Sequence, residues 1–175
     1  MNRRAAAALL AVSMGLAACG VLPQNAGLEP QTVITDVPVD TNRFAAMLNA
    51  YRSENGLPPV QVDGVLNGVS RDMARHIAER DSMKTWAHSA FGLSQRLEKA
   101  GYQNIAAAEN LGAGYASLEA AMIGWQGSEG HNRNLLNPYV TRVGIARTNR
   151  SDGTWRHFWA MTLARPVSDG RPAPQ

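Results

Sequence analysis

Hydrophobic residues recur at spacings of three and four in four parts of the chain, and each part predicts an amphipathic helix. The four buried stripes are Phe44, Leu48 and Tyr51; Val65, Leu66, Val69, Met73 and Ile77; Leu93, Leu97 and Ala100; and Leu118, Ala121, Met122 and Trp125. Asp63 and Ser117 precede two of these stripes as helix-capping residues. Asp40 or Thr41 can cap the first helix, and Gly56 can end it.

Two segments near the carboxyl end alternate in hydrophobicity and predict β-strands. Val143 and Ile145 mark the first strand, and the second runs from about residue 154 to residue 164. The second is apolar on both faces, as in a strand that is covered on each side. Turn residues at 149–153 predict a hairpin between them, so the two strands should pair antiparallel. This order of elements predicts an α+β fold, a three-layer α-β-α sandwich with a small, mainly antiparallel sheet.

The first eighteen residues have the form of a secretion signal. Arg3 and Arg4 precede an uncharged run rich in alanine and leucine that is too short to span a bilayer. The signal ends at Leu16, Ala17, Ala18 and Cys19, which resembles the lipobox of bacterial lipoproteins, where the cysteine is diacylated. This resemblance implies export and lipid anchoring of Cys19 in the cell envelope, with the membrane as a partner. A plain signal peptide with an incidental cysteine is the alternative.

Gly20 follows the cysteine in place of the aspartate that retains some lipoproteins at the inner membrane, which favours the outer membrane. Residues 19–40 contain three prolines and no sustained period, and they predict a flexible linker. The folded domain is expected at residues 41–166. The polar residues 167–175 should form a disordered tail.

Composition limits the possible functions. The 175 residues suit one domain with appendages, and 45% of them are hydrophobic, as in ordinary globular proteins. Without Arg3 and Arg4, 15 basic side chains stand against 14 acidic ones. This near balance, without a basic run, argues against nucleic acid as a partner. Cys19 is the only cysteine, so the chain contains no internal disulfide.

Three residues at junctions between predicted elements are candidates for a functional site. His131 lies between the last predicted helix and the hairpin, His88 lies in a polar and aromatic loop, and Glu109 interrupts an apolar stretch. An unpaired buried carboxylate is costly, so Glu109 either faces solvent or has a partner. Two imidazoles, a carboxylate and a water can form a catalytic zinc site. The same side chains can instead form a hydrogen-bonded polar cluster without metal.

The other two histidines are interpreted as structural. His76 lies beside the apolar stripe of a helix rich in charge, where we expect it to be solvated or to pair with Glu79 or Arg80. His157 lies near the start of the last strand and is expected to be exposed.

The order of several motifs resembles the CAP superfamily, also called the SCP domain, of cysteine-rich secretory, antigen 5 and pathogenesis-related proteins. The motifs are His88-Ser89, Ala108 to Leu111, Trp125, Gly130-His131 with the NLLNP run, and TRVGIA from Thr141. The resemblance covers roughly residues 44–166. It implies an α-β-α sandwich with a cleft lined by His, Glu, Glu and His, which binds zinc or another divalent cation in some members.

His88, Glu109 and His131 match three members of that tetrad. The second family glutamate is matched by Ser128, and the neighbouring Glu129 is offset by one residue. One residue turns a helical side chain by about a quarter turn. The departure weakens a metal site and any mechanism that needs two carboxylates.

Three functions are compatible with these features. The favoured one is a non-enzymatic envelope lipoprotein that holds a lipid or another small apolar or envelope-derived ligand in a cleft or surface groove, as the resemblance implies. The second is a metal-dependent, peptidase-like hydrolase, in which His88 and His131 hold the metal and Glu109 acts as base or ligand. The third is a structural or interaction protein, in which the same cluster only stabilises the junctions.

Overall fold

Four of the five described helices begin at polar side chains that accept hydrogen bonds from their first turns. The computed structural model describes residues 31–170. Its helices are α1 (Thr41–Glu54), α2 (Gly64–Glu79), α3 (Ala90–Lys99), α4 (Leu118–Gln126) and α5 (Glu129–Leu135), with a 3-10 turn at Trp86–His88. Asp40, Asp63 and Ser117 cap α1, α2 and α4. The predicted signal peptide at residues 1–18 and Cys19 lie outside the described residues.

The strands form one mainly antiparallel sheet. They are β1 (Ile34–Val37), β2 (Gln61–Val62), β3 (Asn104–Ala113), β4 (Arg142–Arg150) and β5 (His157–Pro166). The order is β1-β4-β5-β3, and β2 pairs parallel with the first residues of β4. The predicted hairpin is confirmed, because β4 and β5 pair antiparallel up to Asn149 and His157. The second strand begins later than predicted, since Thr154 and Trp155 donate their amides to the Asp81 carboxylate.

The two faces of β5 separate the helices into two layers. Trp159, Met161 and Leu163 pack with residues of α1, α4 and α5, whereas Phe158 and Ala160 pack with α2. Helices α2 and α3 share a further apolar cluster on that second face. The predicted three-layer α-β-α sandwich is therefore confirmed. The buried members of all three clusters lie within residues 44–164, so a chain that starts at residue 31 contains every one of them.

The predicted linker at residues 19–40 does not extend to residue 40. Residues Ile34 to Val37 form β1 and pair antiparallel with the end of β4. Asp36 accepts a hydrogen bond from Thr148 at 2.9 Å and forms an ion pair with Arg75 at 3.1 Å. A strand of four residues is too short to show a period, so backbone pairing and these polar contacts determine its position.

The predicted disordered tail does not begin at residue 167, because residues 167–170 make defined contacts, and residues 171–175 lie outside the described residues. The Val167 amide donates to the Gln103 carbonyl at 3.1 Å. The Asp169 side chain is only 1% exposed and lies 3.4 Å from Arg142 and 3.7 Å from Arg165. These contacts fix the chain beyond β5. Within residues 31–170, no helix has the length and apolar composition needed to cross a bilayer.

Gly144 determines how closely α2 approaches β4. A Cβ atom at this position would lie well inside van der Waals distance of the backbone at Leu66 and Asn67. We predict that Gly144→Ala lowers the free energy of unfolding by about 3 kcal/mol, because two backbones must move apart. Gly64→Ala is the matched control, since no atom lies within 4 Å of its added methyl. Urea unfolding measures both, and an equally small effect of both substitutions would contradict the close approach.

Candidate functional site

Glu109 on β3 carries a buried carboxylate with two partners. Its side chain is only 1% exposed. Oε2 lies 2.9 Å from Nδ1 of His88, and Oε1 lies 2.7 Å from Nη2 of Arg96. A carboxylate only accepts hydrogen bonds, so both His88 and Arg96 donate to it. Glu109 therefore belongs to the paired alternative considered above, and the guanidinium neutralises its charge.

Arg96 also fixes the 3-10 turn that carries His88. Its Nε and Nη2 donate to the Ala87 carbonyl at 3.3 and 3.2 Å. A Cβ atom on Gly92 would lie 2.7 Å from backbone atoms of Ala87 and Trp86, so the turn packs directly on the first turn of α3. The Ser89 hydroxyl accepts from the Gly92 amide at 3.1 Å and caps α3. Ser89 therefore has a structural role beside His88.

His131 lies on α5, in the layer on the other face of the sheet. The Asn110 side-chain amide donates to the His131 carbonyl at 3.0 Å. Asn134 donates to the Glu109 carbonyl at 3.1 Å and to Asn110 Oδ1 at 2.9 Å. These amides hold α5 against β3.

Strand alternation directs the side chains of Glu109 and Asn110 to opposite faces of β3. Glu109 lies opposite Thr162, which contacts Ser70 of α2, whereas Asn110 contacts α5. The structure brings His88 and Glu109 into direct contact. His131 comes near His88 from the other layer, but its ring makes no hydrogen bond within residues 31–170. Burial lowers the pKa of His131, and the nearby His88 lowers it further.

Glu129 does not replace the family glutamate whose position is occupied by Ser128. Ser128 is the N-cap residue of α5, although its side chain makes no capping hydrogen bond. The Glu129 side chain is 91% exposed and lies 3.7 Å from Arg133. It therefore points to solvent and away from Glu109.

The residues present do not fit a metal ion. Within residues 31–170, no group of three histidine, cysteine, aspartate or glutamate side chains is placed to hold one. Glu109 is bound by a guanidinium, and Ser128 occupies the position of the other carboxylate. A catalytic zinc site uses three protein ligands.

Two histidine interpretations differ from the structure. His76 pairs with neither Glu79 nor Arg80, because its Nε2 lies 2.9 Å from the Thr85 hydroxyl. His157 is half-buried rather than exposed, and its Nδ1 lies 2.9 Å from Nη2 of Arg147. Burial lowers the pKa of His157, and the charge of Arg147 adds to this effect. Both histidines are thus held by side chains of other segments.

The residue that sequence reasoning missed is Arg96. It lies three residues after Leu93 and four before Ala100, which places it on the apolar stripe of α3. A cation on such a stripe and a carboxylate in an apolar strand are each costly alone. Together these two positions could have predicted the Arg96–Glu109 pair.

A groove between α2 and α3 adjoins this pair. Its volume is about 480 Å³, within the range of about 300–1,000 Å³ usual for small-molecule sites. Val65, Val69 and Met73 of α2 form its walls with Arg96, Lys99 and Ala100 of α3. His88, Glu109 and His131 do not line it.

One nitrogen of Arg96 remains unpartnered beside this groove. Nη1 is buried and has no hydrogen-bond acceptor within residues 31–170. A buried donor without an acceptor costs about 1–3 kcal/mol. This nitrogen is closed off from solvent, so a molecule in the groove would reach it only if the guanidinium turned toward the groove.

Comparison with known proteins gives a family match over most of the chain. The model of the CAP family, described as the cysteine-rich secretory protein family, matches residues 45–163. The uncharacterized protein YkwD of Bacillus subtilis is 27% identical over 103 residues, which cover 59% of this chain. The chain spans only 40% of that relative's length.

Two solved structures share the fold. An extracellular protein of Bacillus anthracis containing an SCP domain superposes with a TM-score of 0.60 at 25% identity, covering 71% of this chain and 39% of that one. An outer surface protein of Borrelia burgdorferi has a TM-score of 0.65 at 18% identity, covering 77% of this chain and 99% of that one. The similarity extends over the described sandwich.

Removing the guanidinium should leave a buried charge without its main partner. We predict that Arg96→Met lowers the free energy of unfolding by about 3 kcal/mol. Arg43→Met is the matched control, because its ion pair with Glu119 is exposed and should contribute less than about 1 kcal/mol. Adding Glu109→Gln to Arg96→Met should recover part of the loss, as measured in a double-mutant cycle. Equal losses for Arg96→Met and Arg43→Met would contradict the proposed importance of the pair.

Stability should also depend on two histidines. Folding lowers the pKa of His131 and of His157 below 6.5, so the unfolded chain takes up protons that the folded chain resists. The free energy of unfolding should therefore fall as the pH is lowered through 6.5. Urea unfolding at about pH 8 and about pH 5 should show a smaller fall for His131→Gln and His157→Gln. An unchanged pH dependence in the double variant would contradict this assignment.

Proposed function

The chain belongs to the CAP family of cysteine-rich secretory proteins, and on that premise we propose that it is a non-enzymatic lipid-binding domain of the cell envelope. Its ligand is a single-chain lipid whose head group accepts a hydrogen bond. The largely apolar groove, whose lining includes the partly exposed side chain of Arg96, carries this proposal. The acyl chain lies along α2, and a head-group oxygen accepts from Arg96.

The charges around the groove favour a hydrogen-bond acceptor over a purely apolar ligand. Arg96 is neutralised by Glu109, and the exposed Lys99 and Asp72 balance one another. His76, the remaining titratable side chain at the groove, is bound to Thr85. Because these charges balance, selectivity comes from hydrogen-bond donation by the Arg96 side chain rather than from net charge.

Several contacts support binding over hydrolysis. Both oxygens of Glu109 are engaged by His88 and Arg96, so this carboxylate lacks the freedom of a general base. The Ser89 hydroxyl is committed to the α3 cap. Neither group is poised to activate a water or to attack a substrate.

Export and lipid anchoring at Cys19 complete the proposal. The signal-like residues 1–18 and the lipobox-like end at Cys19 support an anchor in the envelope, with the outer membrane favoured by Gly20. The similar Bacillus anthracis protein is described as extracellular. Mass spectrometry of the chain recovered from membranes tests the acylation of Cys19 directly.

Filling the groove should abolish binding without harming the fold. Gly68 lines the groove on α2, and a Cβ atom there meets only Arg71 at 3.9 Å. We predict that Gly68→Leu weakens palmitate binding at least about tenfold, while the new helix former raises stability by about 1 kcal/mol. Isothermal titration calorimetry on residues 31–175 measures the affinity. Gly64→Leu, on the same helix but outside the groove, should bind like the unmodified chain.

A second probe separates the head group from the tail. A long-chain alkylammonium has a similar tail but only donors in its head, so it should bind more weakly than palmitate. Undiminished palmitate binding by Gly68→Leu would place the ligand elsewhere. Failure of the unmodified chain to bind palmitate or a lysophospholipid would reject the proposed function.

A further inference from the structure

Two loops meet at the end of the molecule where α2 stops. Residues 80–86 follow α2, and residues 151–156 connect β4 to β5. The Asp81 carboxylate joins the loops by accepting hydrogen bonds from the amides of Thr154 at 2.6 Å and Trp155 at 3.1 Å. Gly153 closes against this carboxylate with a φ of +83°, a conformation that suits glycine.

The first described residues of the chain, Thr32 and Val33, contact the second of these loops. The Val33 carbonyl accepts from the Ser151 amide at 2.9 Å, and the Val33 amide donates to the Ser151 hydroxyl at 2.8 Å. Thr32 donates to Asp152 at 2.6 Å. Residues 20–31 would therefore connect the predicted lipid at Cys19 to this end, within about 40 Å at 3.3 Å per residue.

Large apolar side chains are exposed around this entrance. Trp86 is 66% exposed, Val33 57% and Trp155 42%. We call Val33 together with the loops 80–86 and 151–156 the aromatic face. Tryptophan prefers the boundary between water and lipid, where its ring is buried and its N–H remains hydrated.

Rigid contacts hold both tryptophans in place. The Trp155 ring lies against Gly114, where an added Cβ would be 3.0 Å away. Trp86 belongs to the 3-10 turn that Arg96 clamps through Ala87. Both tryptophans therefore belong to segments that contact other parts of the fold.

The charges on the aromatic face favour an anionic surface. Arg80 and Lys84 are exposed and make no ion pair within residues 31–170. The acidic side chains beside them are already engaged, Asp81 by backbone amides and Asp152 by Arg150 at 2.8 Å. Basic residues near an anionic bilayer are attracted to its head groups.

We propose that the aromatic face lies on the lipid bilayer, with Trp86 and Trp155 in the interface and Arg80 and Lys84 against anionic head groups. This rests on the proposed envelope anchor for the choice of partner. The two acyl chains expected on Cys19 are enough for stable attachment, so the aromatic face would orient the domain on the bilayer rather than hold it there. The groove lining at Ala87 is next to Trp86, so a lipid could pass from the bilayer into the groove.

Intrinsic fluorescence can test the proposal because two of the four tryptophans are exposed on the aromatic face and the other two are buried in the core. Trp125 and Trp159 are buried at 0% and 2% exposure, so only Trp86 and Trp155 can meet lipid. A chain of residues 20–175 with an amino-terminal histidine tag is bound to phosphatidylglycerol vesicles containing a nickel-chelating lipid. The tag holds every molecule at the surface, whether or not Cys19 is lipidated in the cell. Brominated acyl chains then quench any tryptophan that reaches the interface.

We expect bromination to quench Trp86 and Trp155, and quenching should be roughly halved in Trp86→Phe and in Trp155→Phe. The control is Tyr139→Trp in a chain without Trp86 and Trp155. Residue 139 lies before the start of β4, and the hairpin loop of the aromatic face lies after its end. The nine residues of β4, at about 3.3 Å per residue, separate the two by about 30 Å. This tryptophan should not be quenched.

Absence of quenching from the tethered chain, or equal quenching of the tryptophan at position 139, would overturn the proposal. A face that serves a protein partner instead would give the first of these results. Trp86→Phe should retain its affinity for soluble palmitate. The bilayer contact and the proposed groove function can therefore fail independently.

Discussion

The ion pair between Glu109 and Arg96 is the constraint on which this part of the molecule depends. A carboxylate in a buried strand requires a partner, and the partner must come from an element packed on the same face. Arg96 meets this requirement from α3 and at the same time binds the Ala87 carbonyl. One guanidinium thus determines the position of β3, α3 and the turn that carries His88, and it forms one wall of the groove.

The same pair separates this chain from the metal-binding pattern that its family resemblance implies. Positive charge at the buried carboxylate is provided by a side chain of the protein, and Ser128 occupies the position of the second acid. Evolution of one scaffold toward different sites is common, because a fold fixes the positions of side chains but not their chemistry. Here Glu109 is paired with His88 and Arg96, and a groove lined in part by Arg96 lies next to this pair.

The periodic segments were predictable because burial on one face leaves a clear pattern. Helices α1 to α4, the β4–β5 hairpin and both apolar faces of β5 followed from spacing, and the family motifs predicted the layers. Strand β1 was missed because four residues carry no period, and the ordered segment up to Gly170 was missed because Asp169 is held by long-range ion pairs. The motif order placed His131 near His88, but it could not show that Arg96 rather than His131 would be the second partner of Glu109.

The contact of Asn134 with the Glu109 carbonyl has a consequence for self-association. Strand β3 lies at the end of the sheet order, where unpaired backbone groups can recruit a strand from another molecule. Asn134 occupies one of these carbonyls with a side-chain amide, and the register shift near Ile105 interrupts the straight edge. A side chain and an irregularity thus block part of this edge and disfavour fibre-like growth through it.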